Sequence, residues 1–126
     1  MNLEIIESDN FALMYKILCE ARSDIQKSTF IDWSKRRKNY LVNGDQGFVF
    51  IEDTNEIGYY ISEKFRGYGL AEQAVKKMIK LNPRKYYFAK MKKENKSSIK
   101  VVEKLGFTVK GIVYGLDAQP FSESVK

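Results

Sequence analysis

The chain has no histidine and one cysteine in 126 residues. Without histidine there is no ordinary general base near neutral pH, no imidazole ligand for zinc and no histidine-dependent triad. A lone thiol, Cys19, cannot close an internal disulfide, so a reducing cytoplasm is the default expectation. Cys19 also falls in an apolar helical pattern, which suits a buried core thiol better than a nucleophile. No apolar run reaches the roughly 18 residues that cross a bilayer. The start, Met1-Asn2-Leu3-Glu4, lacks the basic and apolar regions of a secretory signal, so no membrane partner is expected. Chemistry must then rest on carboxylates, tyrosines, serines, main-chain groups or a bound cofactor, and no metal is expected.

What is present suits one globular domain spanning 1–126, with 44% hydrophobic and 13% aromatic residues. Charge is divided unevenly. Residues 1–62 hold 7 Lys/Arg against 10 Asp/Glu, whereas residues 63–126 hold 15 against 6. A basic half fits a polyanionic ligand, although most lysines on solvated faces need none. Nucleic acid would also fit the excess, but no recognised nucleic-acid motif is visible and none is expected as a partner.

Along the chain, 3–7 reads as a short strand, and Ser8, Asp9 or Asn10 can cap the helix after it. Phe11, Leu13, Met14, Ile17, Leu18 and Ala21 give that helix an apolar face. A second helix starts at Ser28 or Thr29, with Lys35-Arg36-Arg37-Lys38 on its tail, where positive charge suits the dipole. Strands follow at 39–43, 46–52 and 56–62, joined by tight turns that imply an antiparallel meander. Residues 70–81 form a helix ended by Asn82-Pro83. The next strand, 86–91, should run parallel to 56–62 through a right-handed crossover. A last helix at 97–105 stops at Gly106, and strands at 107–114 and 120–125 complete the sheet. The expected fold is α+β, a mixed and mostly antiparallel sheet with helices on both faces.

The rest is arranged around Phe65-Arg66-Gly67-Tyr68-Gly69-Leu70-Ala71. Two glycines free the backbone to turn sharply, and the helix that begins at Leu70 offers unpaired N–H groups and the positive end of its dipole. Strand, glycine loop and helix N-terminus together make an anion site, most naturally for phosphate. No Lys-Ser or Lys-Thr pair follows the last glycine, which excludes a Walker A loop. The third small residue and the distant acid of a dinucleotide fingerprint are also missing. By itself the glycine pair is equally compatible with a plain turn.

A second stretch stands about 25 residues on, where a second strand and helix can lie beside the first. It reads Glu94-Asn95-Lys96-Ser97-Ser98-Ile99-Lys100-Val101-Val102-Glu103-Lys104-Leu105-Gly106-Phe107. Arg66-Gly67-Tyr68-Gly69-Leu70-Ala71 resembles the acetyl-CoA pyrophosphate loop of the GNAT N-acetyltransferase superfamily. Asn95, Ser98 and Glu103-Lys104-Leu105-Gly106-Phe107 resemble the family's next signature, and the likeness covers residues 39–116. The branch it most resembles holds ribosomal-protein N-terminal acetyltransferases and amino-sugar nucleotide acetyltransferases.

The resemblance implies a central parallel pair of strands that splay apart, with the pantetheine arm of acetyl-CoA pairing to the backbone of Ile61. It implies pyrophosphate binding by N–H groups around Arg66, Gly67, Tyr68, Gly69, Leu70 and Ala71. Arg66 would either add charge-assisted bonds or stand as a plain surface arginine, and Tyr68 would pack on the adenine side or face solvent. Asn95 would bind cofactor or cap its helix. Many members carry a tyrosine just before the Glu-Lys-Leu-Gly-Phe run as proton donor to the thiolate. Here Val102 stands there, and Ser98, one turn earlier, is the substitute, unless it only bonds its own helix.

Direct acetyl transfer to an amine needs the ammonium to lose a proton and the departing thiolate to gain one. Glu56 is a candidate relay for the first, or a solvent-facing edge carboxylate. The expected partners are acetyl-CoA and a primary amine of a small molecule, with an amino-sugar nucleotide preferred. The alternatives are a protein N-terminus or a coenzyme-A-binding module without turnover. Association as a homodimer is left open.

Overall fold

The computed structural model describes residues 3–116. Four strands form one antiparallel sheet in sequence order: β1 (Ile5–Glu7), β2 (Arg37–Val42), β3 (Gly47–Glu52) and β4 (Ile57–Ile61). Two helices, α1 (Phe11–Cys19) and α2 (Lys27–Lys35), lie between β1 and β2. Beyond β4 come a short turn, Glu63–Phe65, and the helices α3 (Leu70–Leu81) and α4 (Lys96–Lys104). Asn10 caps α1 by accepting from the Leu13 N–H at 3.2 Å. Among the described residues no helix is long and apolar enough to cross a membrane.

The apolar run of β3 is covered on both faces, as the alternation of a strand requires. Val49 and Ile51 face α3 in a core with Tyr40, Val42, Ile57, Ile61, Leu70, Ala74, Val75 and Met78. Phe48 faces the other way, packed with Met14, Ile17, Leu18 and Phe30 of α1 and α2. Phe30 meets Phe48 edge-on at 5.9 Å, and Phe48 stacks with Tyr60 at 6.2 Å. Each buried side chain of this size contributes about 1.5–3 kcal/mol. Asn39 closes the junction of α2 and β2 by donating to the Ser34 carbonyl at 2.8 Å.

The expected parallel pair is present as a single bridge, Glu56 with Phe88. Ile57 N–H donates to the Phe88 carbonyl at 2.8 Å, and Phe88 N–H to that of Asn55 at 3.1 Å. Arg84 holds the segment there, with Nη1 bonded to the Glu52 carbonyl and to Asn55 Oδ1 at 2.7 and 2.8 Å. Past this point the two segments part, so 86–91 is no continuous strand. Nor is 107–114: Val109, Ile112, Val113 and Tyr114 lie exposed, and no strand pairs with them among the described residues. The expected strand at 120–125 lies outside the described residues. Cys19 is half-buried rather than fully enclosed, at the last turn of α1.

Candidate active site

The loop between β4 and α3 takes its shape from two left-handed glycines, Gly67 at φ 89° and Gly69 at φ 76°. A Cβ at Gly67 would meet nothing within 4 Å, and one at Gly69 only Gln73 Nε2 at 3.6 Å. Glycine is therefore needed for backbone conformation and not for space. Gly69 caps α3 without any side-chain bond. Among the described residues, the N–H groups of Gly67 through Glu72 have no hydrogen-bond partner, whereas the Arg66 N–H is already bonded to the Glu63 carbonyl at 3.3 Å. The donor row thus begins one residue later than the sequence suggests. It ends on the positive pole of a 12-residue helix, which suits a pyrophosphate.

Upstream of the loop the register of β4 aims its polar groups. Ser62 N–H bonds to the Gln46 carbonyl in the β3 direction, and Ile57 N–H bonds away from β3. By strict alternation, Tyr59 and Ile61 also turn their main-chain groups away from β3, into the gap left where the segments part. The Ile61 carbonyl is taken by Arg66 Nε at 2.8 Å. The Ile61 N–H and the terminal nitrogens of Arg66 have no hydrogen-bond partner among the described residues.

Helix α4 roofs the gap. Asn95 caps it, accepting from the Ser98 N–H at 3.3 Å through Oδ1. The Tyr59 hydroxyl donates across the gap to the Ser98 carbonyl at 2.7 Å. Between these elements lies a cavity of about 430 Å³, lined by the glycine loop, Ile61, Arg66, Leu70, Ala71, Asn95 and Ser98. Tyr68, 65% exposed, is not on its wall. Val102 is buried and also off the wall; Ser98 and Val101 line it instead.

A second cavity of about 950 Å³ opens on the other side, between the helical layer of α1 and α2 and the segment 89–95. Tyr59, Tyr60, Asn95 and Ser98 line both cavities, so the two meet there. Glu56 lines the second. Burial, then the neighbouring Glu52, raises its carboxyl above the ordinary range, while Lys90, 3.9 Å away, and Arg37 pull it back. Burial likewise raises the Tyr59 phenol, against the lowering effect of its bond to Ser98. Arg37 is pushed down by burial, with Glu52 and Glu56 opposing.

The structure therefore gathers Ile61, Arg66, Gly67, Gly69, Leu70, Ala71, Asn95 and Ser98 around one cavity and places Glu56 in the adjoining one. Tyr59 was not singled out from the sequence as a functional residue. A signal exists, because alternation puts the Tyr59 side chain on the same face of the strand as that of Ile61, which already marks the site. Among the described residues no cluster of acidic or cysteine side chains could hold a metal ion.

The family model for the acetyltransferase (GNAT) domain matches residues 8–108. An N-acetyltransferase from Staphylococcus aureus Mu50 has a similar fold, with TM-score 0.69 and 20% identity, over 88% of this chain and 86% of that one. RimL, a ribosomal-protein alpha-N-acetyltransferase in complex with coenzyme A, gives 0.68 and 18%, over 88% and 82%. The microcin C7 self-immunity acetyltransferase MccE, in complex with acetyl-CoA and AMP, gives 0.59 and 17%, over 86% and 81%. No curated protein sequence matches the chain.

Proposed function

The chain belongs to the GNAT acetyltransferase family, whose members use acetyl-CoA, and on that premise we propose that it acetylates the primary amine of a small molecule, with an amino-sugar nucleotide as the preferred acceptor. One observation carries this reading: a cavity that ends on unpaired amides meets a larger, charged cavity at Tyr59, Tyr60, Asn95 and Ser98.

Acetyl-CoA supplies an activated thioester whose carbonyl carbon the amine attacks. The N–C bond forms as the C–S bond breaks, so one proton leaves the ammonium and one is delivered to the thiolate. Gly67 through Glu72 would hold the pyrophosphate, and the Ile61 N–H would pair with the pantetheine arm as an added strand does. Glu56, three residues from Tyr59 and so about 10 Å along the strand, would draw the ammonium proton through water. The Tyr59 or Ser98 hydroxyl, at the meeting point, would supply the thiolate proton. Tyr59 fits better because its side chain bridges the gap and burial keeps it protonated.

A protein N-terminus is the second acceptor reading. RimL has that activity and a similar fold, and a 950 Å³ cavity is at the upper end for a small ligand. Thiol release from acetyl-CoA, followed with an amino-sugar nucleotide, a plain amino sugar and a ribosomal-protein N-terminal peptide, tests the choice. The fastest release is expected with the nucleotide. Faster release with the peptide would reverse the acceptor assignment, and none with any amine would remove the proposal.

A further inference from the structure

Arg37, the first residue of β2, lines the second cavity. Its guanidinium carbon sits 3.7 Å from the centroid of the Phe50 ring. That ring packs against β4 where position 58 is glycine: a Cβ there would lie 2.2 Å from its Cζ. Gly58, Phe50 and Arg37 thus pack in succession, and the guanidinium lies on the wall of the second cavity, with Glu52 and Glu56 nearby but not ion-paired to it. Arg37 Nε is buried and has no hydrogen-bond partner among the described residues. No described carboxylate lies within 4.0 Å of its nitrogens. A buried donor left unpaired is costly, and a planar guanidinium fork matches an oxyanion. Arg36, at the end of α2, and Lys92, on the facing segment, also line the cavity and are without an ion-pair partner among the described residues.

We propose that Arg37 anchors an oxyanion, carboxylate or phosphate, carried by the acceptor amine, so that the second cavity selects anionic amines. The inference rests on the reading of this cavity as the acceptor site. It concerns a different anion from the pyrophosphate of acetyl-CoA, which belongs to the glycine loop on the far side of Tyr59.

Trp33, the only tryptophan, lines the same cavity and reports its occupancy by fluorescence. Binding is titrated without acetyl-CoA, using glucosamine against glucosamine 6-phosphate and tyramine against tyrosine. At least one anionic member is expected to bind about tenfold or more tightly than its neutral partner. The pair that responds identifies phosphate or carboxylate. Arg37→Met should remove that preference, bringing the anionic member of the pair down to the affinity of its neutral partner. Arg37→Lys keeps the charge without the fork, so it should retain a reduced preference even if the methionine variant does not fold. Equal binding of both members of each pair by the wild-type protein would overturn the proposal. So would an Arg37→Met variant, shown to be folded by circular dichroism, that weakens both members alike. Because the titration needs no turnover, it stands apart from the thiol-release test of acetyl transfer.

Discussion

The hydroxyl of Tyr59 is bonded to the main-chain oxygen of Ser98 at 2.7 Å, and this bond ties β4 to α4 across the line where the two cavities meet. On the proposed reading, the thioester sulfur would pass beside this phenol. Burial raises its pKa, so it holds a proton to give.

Tyr59→Phe is therefore expected to lower kcat by at least about 10²-fold, the scale of a lost general acid, with little change in coenzyme A affinity by calorimetry. Ser98→Ala should stay much closer to wild type. The reverse ranking would return the role to Ser98. The raised phenol also has a stability signature: its contribution is complete below about pH 10, the unfolded value, and is lost as pH rises through the folded value.

Glu56 must be ionised to accept a proton, and its carboxyl is raised by burial and by Glu52. The acid limb of kcat/KM should thus lie above the ordinary carboxylate pKa of about 4.3, and Glu56→Gln should abolish that limb. Lys90 pulls the carboxyl down, so Lys90→Met should move the limb to higher pH. Lys90 is largely exposed, and added salt should shrink the move. A limb that ignores both substitutions would remove Glu56 from the proton path.

Gly67→Ala and Gly69→Ala place a Cβ where the backbone is left-handed but space is free. The cost is conformational, about 1–2 kcal/mol per position, and should appear as roughly a tenfold loss of coenzyme A affinity in calorimetry. Unchanged affinity in both variants would show that the loop conformation does not matter for binding.

Glu20, just past the end of α1, accepts from Ser62 Oγ at 2.8 and 3.0 Å and from the Glu63 N–H at 3.2 Å, at the entrance to the glycine loop. These bonds lower its carboxyl pKa, the Ser62 hydroxyl most. A lowered carboxylate stabilises the fold above its unfolded pKa of about 4.3, and the gain is lost as pH falls through the folded value. Glu20→Gln should lower the melting temperature at pH 7, modestly because the group is exposed, and less at pH 3. Equal differences at both pH values would contradict the assignment.

Much of this was legible in the sequence because it is written locally. Helix α3 runs over 70–81, as its apolar spacing and the flanking Gly69 and Asn82-Pro83 demand. The meander was readable because tight turns leave no other partner for successive strands. The two later strands were not. The run at 86–91 has the composition of a strand, but only Phe88 meets β4, since the cleft keeps the rest apart. Residues 107–114 alternate like a strand, yet pairing depends on a partner edge that local composition does not encode. Arg37 was hidden for a similar reason. On a helix tail it reads as dipole compensation, and only the Phe50 ring lying over Gly58 shows where the charge goes.

The central claim is that the main-chain amides from Gly67 to Glu72 grip the pyrophosphate of coenzyme A. Amide chemical shifts of labelled protein, followed as coenzyme A is added, test it most directly. The amides of Gly67 through Glu72 are expected to move together and further than those of distant loops such as Gly44. If coenzyme A binds in calorimetry while these amides stay still, the phosphates are held elsewhere and the claim is wrong.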